Sequence, residues 1–170
     1  MKRTIKKVAV LGSGVMGSRI ACHFAGVGLQ VLLLDMVPDA ARDSNSPAER
    51  NKLVNDSLQA ALKSNPSPVY TKSTAGKIRT GNFSDNMKEI GEYDWIIEVV
   101  VERLDIKQRI FEQVEQYRKK GTLITSNTSG IPIHLLVYFL ASYDILPLFC
   151  YSKSNTIGIS TSVVKSIGVD

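Results

Sequence analysis

Cysteine is scarce in this chain: there are two in 170 residues, Cys22 and Cys150. That number supplies neither a disulfide framework nor a metal-ligand cluster, so no metal site is expected and both thiols read as packing residues in a reducing compartment. Long apolar runs are also missing. No segment is long and apolar enough to span a bilayer convincingly, although Leu135 to Cys150 is unusually apolar. The basic run Lys2 to Lys7 leads into an apolar segment, but Gly12, Gly14 and Gly17 interrupt it before it reaches the length of a signal peptide. These absences predict a cytoplasmic protein with no membrane partner. The net charge of +5 comes from scattered residues, and the one basic run reads as a solvated N-terminus, so nucleic acid is not an expected partner. No internal repeat is present.

What is there begins with length: a chain of this size buries roughly 70% of its unfolded surface, enough for a core without staples. Val8-Ala9-Val10-Leu11 then reads as a β-branched apolar strand. It runs into Gly12-Ser13-Gly14-Val15-Met16-Gly17, a G-x-G-x-x-G turn, and on into a helical pattern. In that setting the three glycines are a dinucleotide fingerprint: Gly12 for the tight turn, Gly14 for close approach of a pyrophosphate, Gly17 for helix–strand packing. Ile20, Phe24 and Val27 form one face of the helix, Gly28 stops it, and Gln30 to Leu34 is a buried strand ending at Asp35. Asp35 lies 18 positions after Gly17, close to the spacing at which an acid reaches the adenosine ribose hydroxyls. A carboxylate there would repel a 2′-phosphate, so NAD is expected rather than NADP. The plainer alternative is that Asp35 begins a turn before Pro38.

Further along, Glu49 to Lys63 carries Leu53, Val54, Leu58 and Leu62 at helical spacing behind Ser46-Pro47, and Asn65 to Pro68 ends that helix. A short strand is predicted at Lys77 to Asn82 and a short helix at Asp85 to Ile90. Trp95 to Val101 reads as a doubly covered strand, and Ile106 to Lys119 as an amphipathic helix with lysines in its last turn. Gly121 follows as a cap, and then a strand at Thr122 to Asn127. The alternation predicts an α/β fold of the Rossmann type, a doubly wound parallel sheet, incomplete within this chain.

Three motifs in this order resemble the N-terminal NAD-binding domain of the 3-hydroxyacyl-CoA dehydrogenases of fatty-acid β-oxidation, over about residues 4 to 136. They are V-A-V-L-G-S-G-V-M-G, I-I-E-V-V-V-E-R-L-D-I-K and S-N-T-S-G at Ser126 to Gly130. The resemblance implies that Glu102 and Lys107 line the nicotinamide end of the cofactor site. It implies that Ser129 bonds the 3-oxygen of an acyl-CoA substrate, and that Asn127 supports cofactor and loop. Read without it, Glu102 is an N-terminal charge on the next helix, Lys107 an exposed helix position, and S-N-T-S a polar turn.

The family's general base is a histidine in a G-x-H-F-F-N-P segment roughly twenty residues after the serine motif. This sequence has no such segment. Its histidines are His23, inside the first helix, and His134, expected in a short helix after Ile131-Pro132. Beyond Leu136 the chain loses the family pattern, so residues 137–170 are expected to be an atypical tail, with edge strands at Thr156 to Ser160 and Thr161 to Lys165. The family's helical C-terminal domain finds no counterpart, which leaves two readings: a dehydrogenase domain that is catalytically incomplete in isolation, or a non-catalytic dinucleotide-binding module. Without that domain a discrete family dimer is not expected.

Overall fold

In Val8-Ala9-Val10-Leu11 every side chain is buried, with Val8 and Val10 in one core and Ala9 and Leu11 in another. Only a strand covered on both faces buries both sets. The structure, a computed structural model, describes residues 4–68, 72–136, 145–147, 149–151 and 157–159. The chain begins with β1 (Lys7–Leu11), α1 (Val15–Gly26) and β2 (Gln30–Asp35), followed by α2 (Pro47–Arg50), α3 (Lys52–Leu62) and α4 (Lys72–Ala75). Next come β3 (Ile78–Asn82), α5 (Phe83–Asn86), a 3₁₀ segment Met87–Glu92 and β4 (Trp95–Glu98). The remainder is α6 (Leu104–Tyr117), β5 (Leu123–Ser126), α7 (Ile133–Leu136), β6 (Ile145–Pro147), β7 (Phe149–Tyr151) and β8 (Ile157–Ile159).

Strands β1 to β6 form one parallel sheet in the order β3-β2-β1-β4-β5-β6. This is the doubly wound order, whose reversal between β1 and β4 opens a crevice at the carboxyl ends of the strands. One face of the sheet packs Val8, Val10, Leu33 and Ile97 against Ile20, Ala21 and Ala25 of α1 and Val54 and Leu58 of α3. The other packs Ala9, Leu11, Leu34 and Ile96 against Met87, Ile90 and the α6 residues Ile110, Phe111 and Val114. Trp95 lies in the first of these cores, edge-on to Phe24 at 4.9 Å between ring centroids, with Nε1 donating to Thr125 Oγ1 at 2.9 Å. At the far end of α1 the chain turns through Gly28, φ +101°, where Leu29 N–H donates to the Phe24 carbonyl.

Several elements depart from expectation. The helix predicted over Glu49 to Lys63 is two helices, because Asn51 at φ −97°, ψ 11° leaves the helical region between α2 and α3. The strand predicted to reach Val101 stops at Glu98, whose side chain takes the Val100 N–H at 2.7 Å and turns the chain out of the sheet. Helix α6 ends at Tyr117, so Lys119 and Lys120 lie past it rather than in its last turn. Ile145–Pro147, which the sequence reading left outside the sheet, pairs in parallel with β5 as the sixth strand. Of the two edge strands expected in the tail, the first is seen at Ile157–Ile159, antiparallel to β7, and Thr161 to Lys165 lies outside the described residues.

Candidate functional site

Two loop systems meet at the carboxyl edge of the sheet. The first follows β1. Gly12 has φ +110°, a conformation L side chains rarely adopt, and a Cβ there would lie 2.5 Å from the Val99 carbonyl oxygen. A Cβ on Gly17 would lie 1.9 Å from the Gly12 carbonyl oxygen, so only glycine lets α1 start this close to the turn. Gly14 is the opposite case, with nothing within 4 Å of its Cβ position. The backbone there borders open space. Gly14 is also the N-cap of α1, contributes no capping side chain, and is followed by no acid in the first turn. The first helical bond is Ser18 N–H to the Gly14 carbonyl, which leaves the preceding amides of Val15, Met16 and Gly17 for an anion. Val15 and Met16 are exposed, at 77% and 48%.

Asp35, at the end of β2, faces this turn. Its Oδ2 accepts from the Ser13 amide at 2.6 Å and the Ser13 hydroxyl at 2.5 Å, and its Oδ1 accepts from the Met36 amide at 2.7 Å. A carboxylate accepts about four hydrogen bonds, so one position remains, and a second opens if the Ser13 hydroxyl turns away. A dinucleotide therefore fits the residues present: open backbone at Gly14, unpaired helix amides, and an acid one strand over. Ser13 is fully buried, a role that its place inside the motif did not suggest.

The second loop system follows β4 and β5 and is built from charge. Glu98 and Lys107 are buried, their side chains 0% and 1% exposed, with Lys107 Nζ donating to Glu98 Oε1 at 2.7 Å. Lys107 also donates to the Val100 carbonyl at 3.3 Å and lies 3.3 Å from Glu102 Oε2. Glu98 Oε2 accepts from the Ser126 hydroxyl at 2.5 Å. Glu102, with its side chain 42% exposed, reaches across to the next loop. Its Oε1 accepts from Thr128 Oγ1 at 2.6 Å, Gly130 N–H at 2.8 Å and Ser129 N–H at 3.1 Å. Partial burial pushes the Glu102 carboxyl up, but the Thr128 and Gly130 hydrogen bonds, the Lys107 charge and the Ser129 amide outweigh it and hold it down at about 2.

Lys107 is thus not an exposed helix position. It falls on the buried stripe Lys107, Ile110, Phe111, Val114, where the i, i+3, i+4, i+7 spacing could have revealed it. Ser129 and Asn127 sit on the loop that Glu102 holds, Ser129 exposed and Asn127 half-buried, with the Asn127 amide donating to the Glu98 carbonyl at 2.8 Å. Glu98, Ser126 and Thr128 complete this region, and the sequence reading gave none of them a part in it. His23 is exposed on α1, against Phe24 and remote from both loops in the chain. His134 lies in α7, as expected, with its side chain outside the described residues. Among the described residues no group of three His, Cys, Asp or Glu could hold a metal ion, and no helix is long and apolar enough to cross a membrane.

Comparison with known proteins gives the same two loops a common setting. The model of the family described as 3-hydroxyacyl-CoA dehydrogenase, NAD binding domain, matches residues 7–143, past the Leu136 limit expected from the motifs. A probable 3-hydroxyacyl-CoA dehydrogenase of Bacillus subtilis is 43% identical over 141 residues, covering 78% of this chain and 18% of that protein. One from Deinococcus radiodurans is 42% identical over 134 residues, covering 78% of this chain and 37% of its own length. Among solved structures, (S)-3-hydroxybutyryl-CoA dehydrogenase PaaH1 from Ralstonia eutropha superposes with a TM-score of 0.59 at 27% identity, over 81% of this chain and 46% of that one. The chain spans less than half the length of each of these relatives.

Proposed function

The chain belongs to the 3-hydroxyacyl-CoA dehydrogenase family as its NAD-binding domain, and from that premise we propose that it serves the oxidation of 3-hydroxyacyl-CoA to 3-oxoacyl-CoA. The observation that carries the reading is the pairing of an open Gly14 and uncapped α1 with Asp35 on the adjacent strand. In this reading the pyrophosphate lies over Gly12, Ser13, Gly14, Val15, Met16 and Gly17, with the adenosine ribose on Asp35. Glu102 and Asn127 border the nicotinamide end, and Lys107 belongs to the site from beneath, through Glu102. NAD, when bound, accepts the hydride that leaves C3 of the substrate. Ser129 is the one residue proposed to touch substrate, donating to the 3-oxygen. A serine orients a hydroxyl but does not take its proton at neutral pH, and the base that does so contributes roughly 10²–10⁴-fold in rate.

The 170 residues present therefore bind NAD without turning over. Residues 1–136 are the dinucleotide domain in this reading, 137–170 a segment of separate character, and the acyl-CoA cleft needs further protein. The names of relatives include a putative fatty acid oxidation complex trifunctional enzyme of Rickettsia felis, which supports a place in β-oxidation. A reducing, cytoplasmic compartment suits the free, buried Cys22, whose thiol burial pushes up. Calorimetry with NAD and NADP tests the assignment. Wild type should prefer NAD, and Asp35→Asn, which keeps an acceptor for Ser13 while removing the charge, should weaken NAD by about 1.5 kcal/mol, roughly tenfold. Unchanged NAD affinity in that variant, or a preference for NADP in wild type, rejects the site. Acetoacetyl-CoA reduction by the 170-residue chain should stay at background. Turnover that His134→Ala abolishes would make His134 the base instead.

A further inference from the structure

We infer that Glu98 and Lys107 are a buried pair of positioning residues that set the Ser129 loop through Glu102, and that Lys107 itself does not reach a ligand. The argument starts from a count of donors. A lysine ammonium carries three N–H groups, and Lys107 has three oxygens in reach: Glu98 Oε1 at 2.7 Å, the Val100 carbonyl at 3.3 Å and Glu102 Oε2 at 3.3 Å. None is left over. The side chain is 1% exposed, so a cofactor lying on the sheet edge would meet Glu102 and the loop backbone before the ammonium.

What the pair does follows from where its bonds end. Glu98 sits at the last position of β4, and its carboxylate holds the Val100 amide on its own loop and the Ser126 hydroxyl at the end of β5. Ser126 Oγ in turn accepts from the Thr128 amide at 3.2 Å. Lys107 bridges from Glu98 to Glu102, and Glu102 gathers Thr128 Oγ1 and the amides of Ser129 and Gly130 on one oxygen. The loops after β4 and β5 are therefore braced at the base by Glu98 and at the tip by Glu102, with the single cation between the two carboxylates. Remove the cation, and Glu102, already partly in solvent, has reason to swing out and release Ser129.

The test uses the whole chain and three variants: Glu102→Gln, the charge-balanced double variant Glu98→Gln/Lys107→Met, and the triple combination. The double variant avoids an unpaired buried charge, and urea midpoints establish that each protein is folded. Amide hydrogen exchange at Ser129 and Gly130 should accelerate at least tenfold in the double variant and in Glu102→Gln, while strand amides such as Val10 and Leu33 keep their wild-type rates. The triple variant should exchange no faster than Glu102→Gln, because the pair acts through that residue. Wild-type rates at Ser129 and Gly130 in the folded double variant would overturn the inference. A second arm rests on the NAD reading above: adding the double change to Glu102→Gln should leave NAD affinity within twofold, whereas a further tenfold loss means Lys107 touches the cofactor and overturns the inference. Should wild type bind no NAD, the proposed function fails while the exchange rates still decide the positioning role.

Discussion

The turn after β1 and the paired loops after β4 and β5 lie along the same edge of one sheet, yet they are made of opposite materials. The first is backbone and space: a glycine with no atom within 4 Å of its Cβ position, and a helix start with no capping side chain. The second is charge spent on itself, a lysine and two glutamates whose donors and acceptors are turned on each other and on their own loops. Motifs that are equally conspicuous in a sequence thus do different work. One leaves valences open for a ligand, and the other consumes them to hold a shape.

The sharpest way to break this contrast is Glu98→Ala. If the second region is a brace, stranding Lys107 beside a lone, half-exposed Glu102 should lower the unfolding free energy by about 3–5 kcal/mol, read from urea denaturation. A loss below about 1 kcal/mol would place that region on the open side of the comparison. The glycine turn offers an internal contrast. Gly17→Ala pushes a methyl onto the Gly12 carbonyl and should cost about 1–3 kcal/mol of stability. Gly14→Ala meets open space, so its stability should stay within about 1 kcal/mol of wild type, while NAD affinity by calorimetry falls about tenfold. Equal unfolding costs for the two alanines would contradict the distinct roles assigned to these glycines.

The smallest expected effect is at acid pH. The Glu102 carboxyl sits at about 2 in the fold against 4.5 ordinarily, so the fold favours its ionised form. Its contribution is complete above about pH 4.5 and is lost as pH falls through about 2. Wild type and Glu102→Gln should differ by under about 1 kcal/mol at pH 6, since solvent screens a half-exposed carboxylate, and their stabilities should converge toward pH 2. A gap that widens on acidification would show that the brace does not depend on the ionised carboxylate.

The open region was the more legible of the two, for a physical reason. A strand, three glycines at fixed offsets and an acid at the end of the next strand are local features, each readable within a few residues, and Gly12, Gly17 and Asp35 all fall at the sheet edge as expected. The brace joins residues 28 apart in sequence, such as Ser126 and Glu98, and no periodicity encodes that. Glu98 in Ile96-Ile97-Glu98-Val99 looks like an interruption of an apolar strand, although it is in fact the strand's buried last residue. Lys107 carried a usable signal, its place on the apolar stripe of α6, but a lysine at such a place invites the reading that it snorkels to solvent. The sixth strand was missed because Ile145-Leu146-Pro147 is too short for a strand pattern, and its pairing depends on an exposed edge of β5 already being there.

Trp95 has a consequence for how all of this can be watched. It is the chain's single tryptophan, 3% exposed, wedged between Phe24 on α1 and Thr125 on β5. Its emission therefore reports on one seam alone, the contact of the first helix with the middle of the sheet, and should shift to the red when that seam opens. Four strand residues separate it from the carboxyl edge, a distance of about 10–13 Å at the usual rise per residue. A reduced nicotinamide bound at that edge absorbs where indole emits, so the protein carries its own donor for resonance energy transfer, and NADH occupancy can be read as quenched tryptophan light without any label.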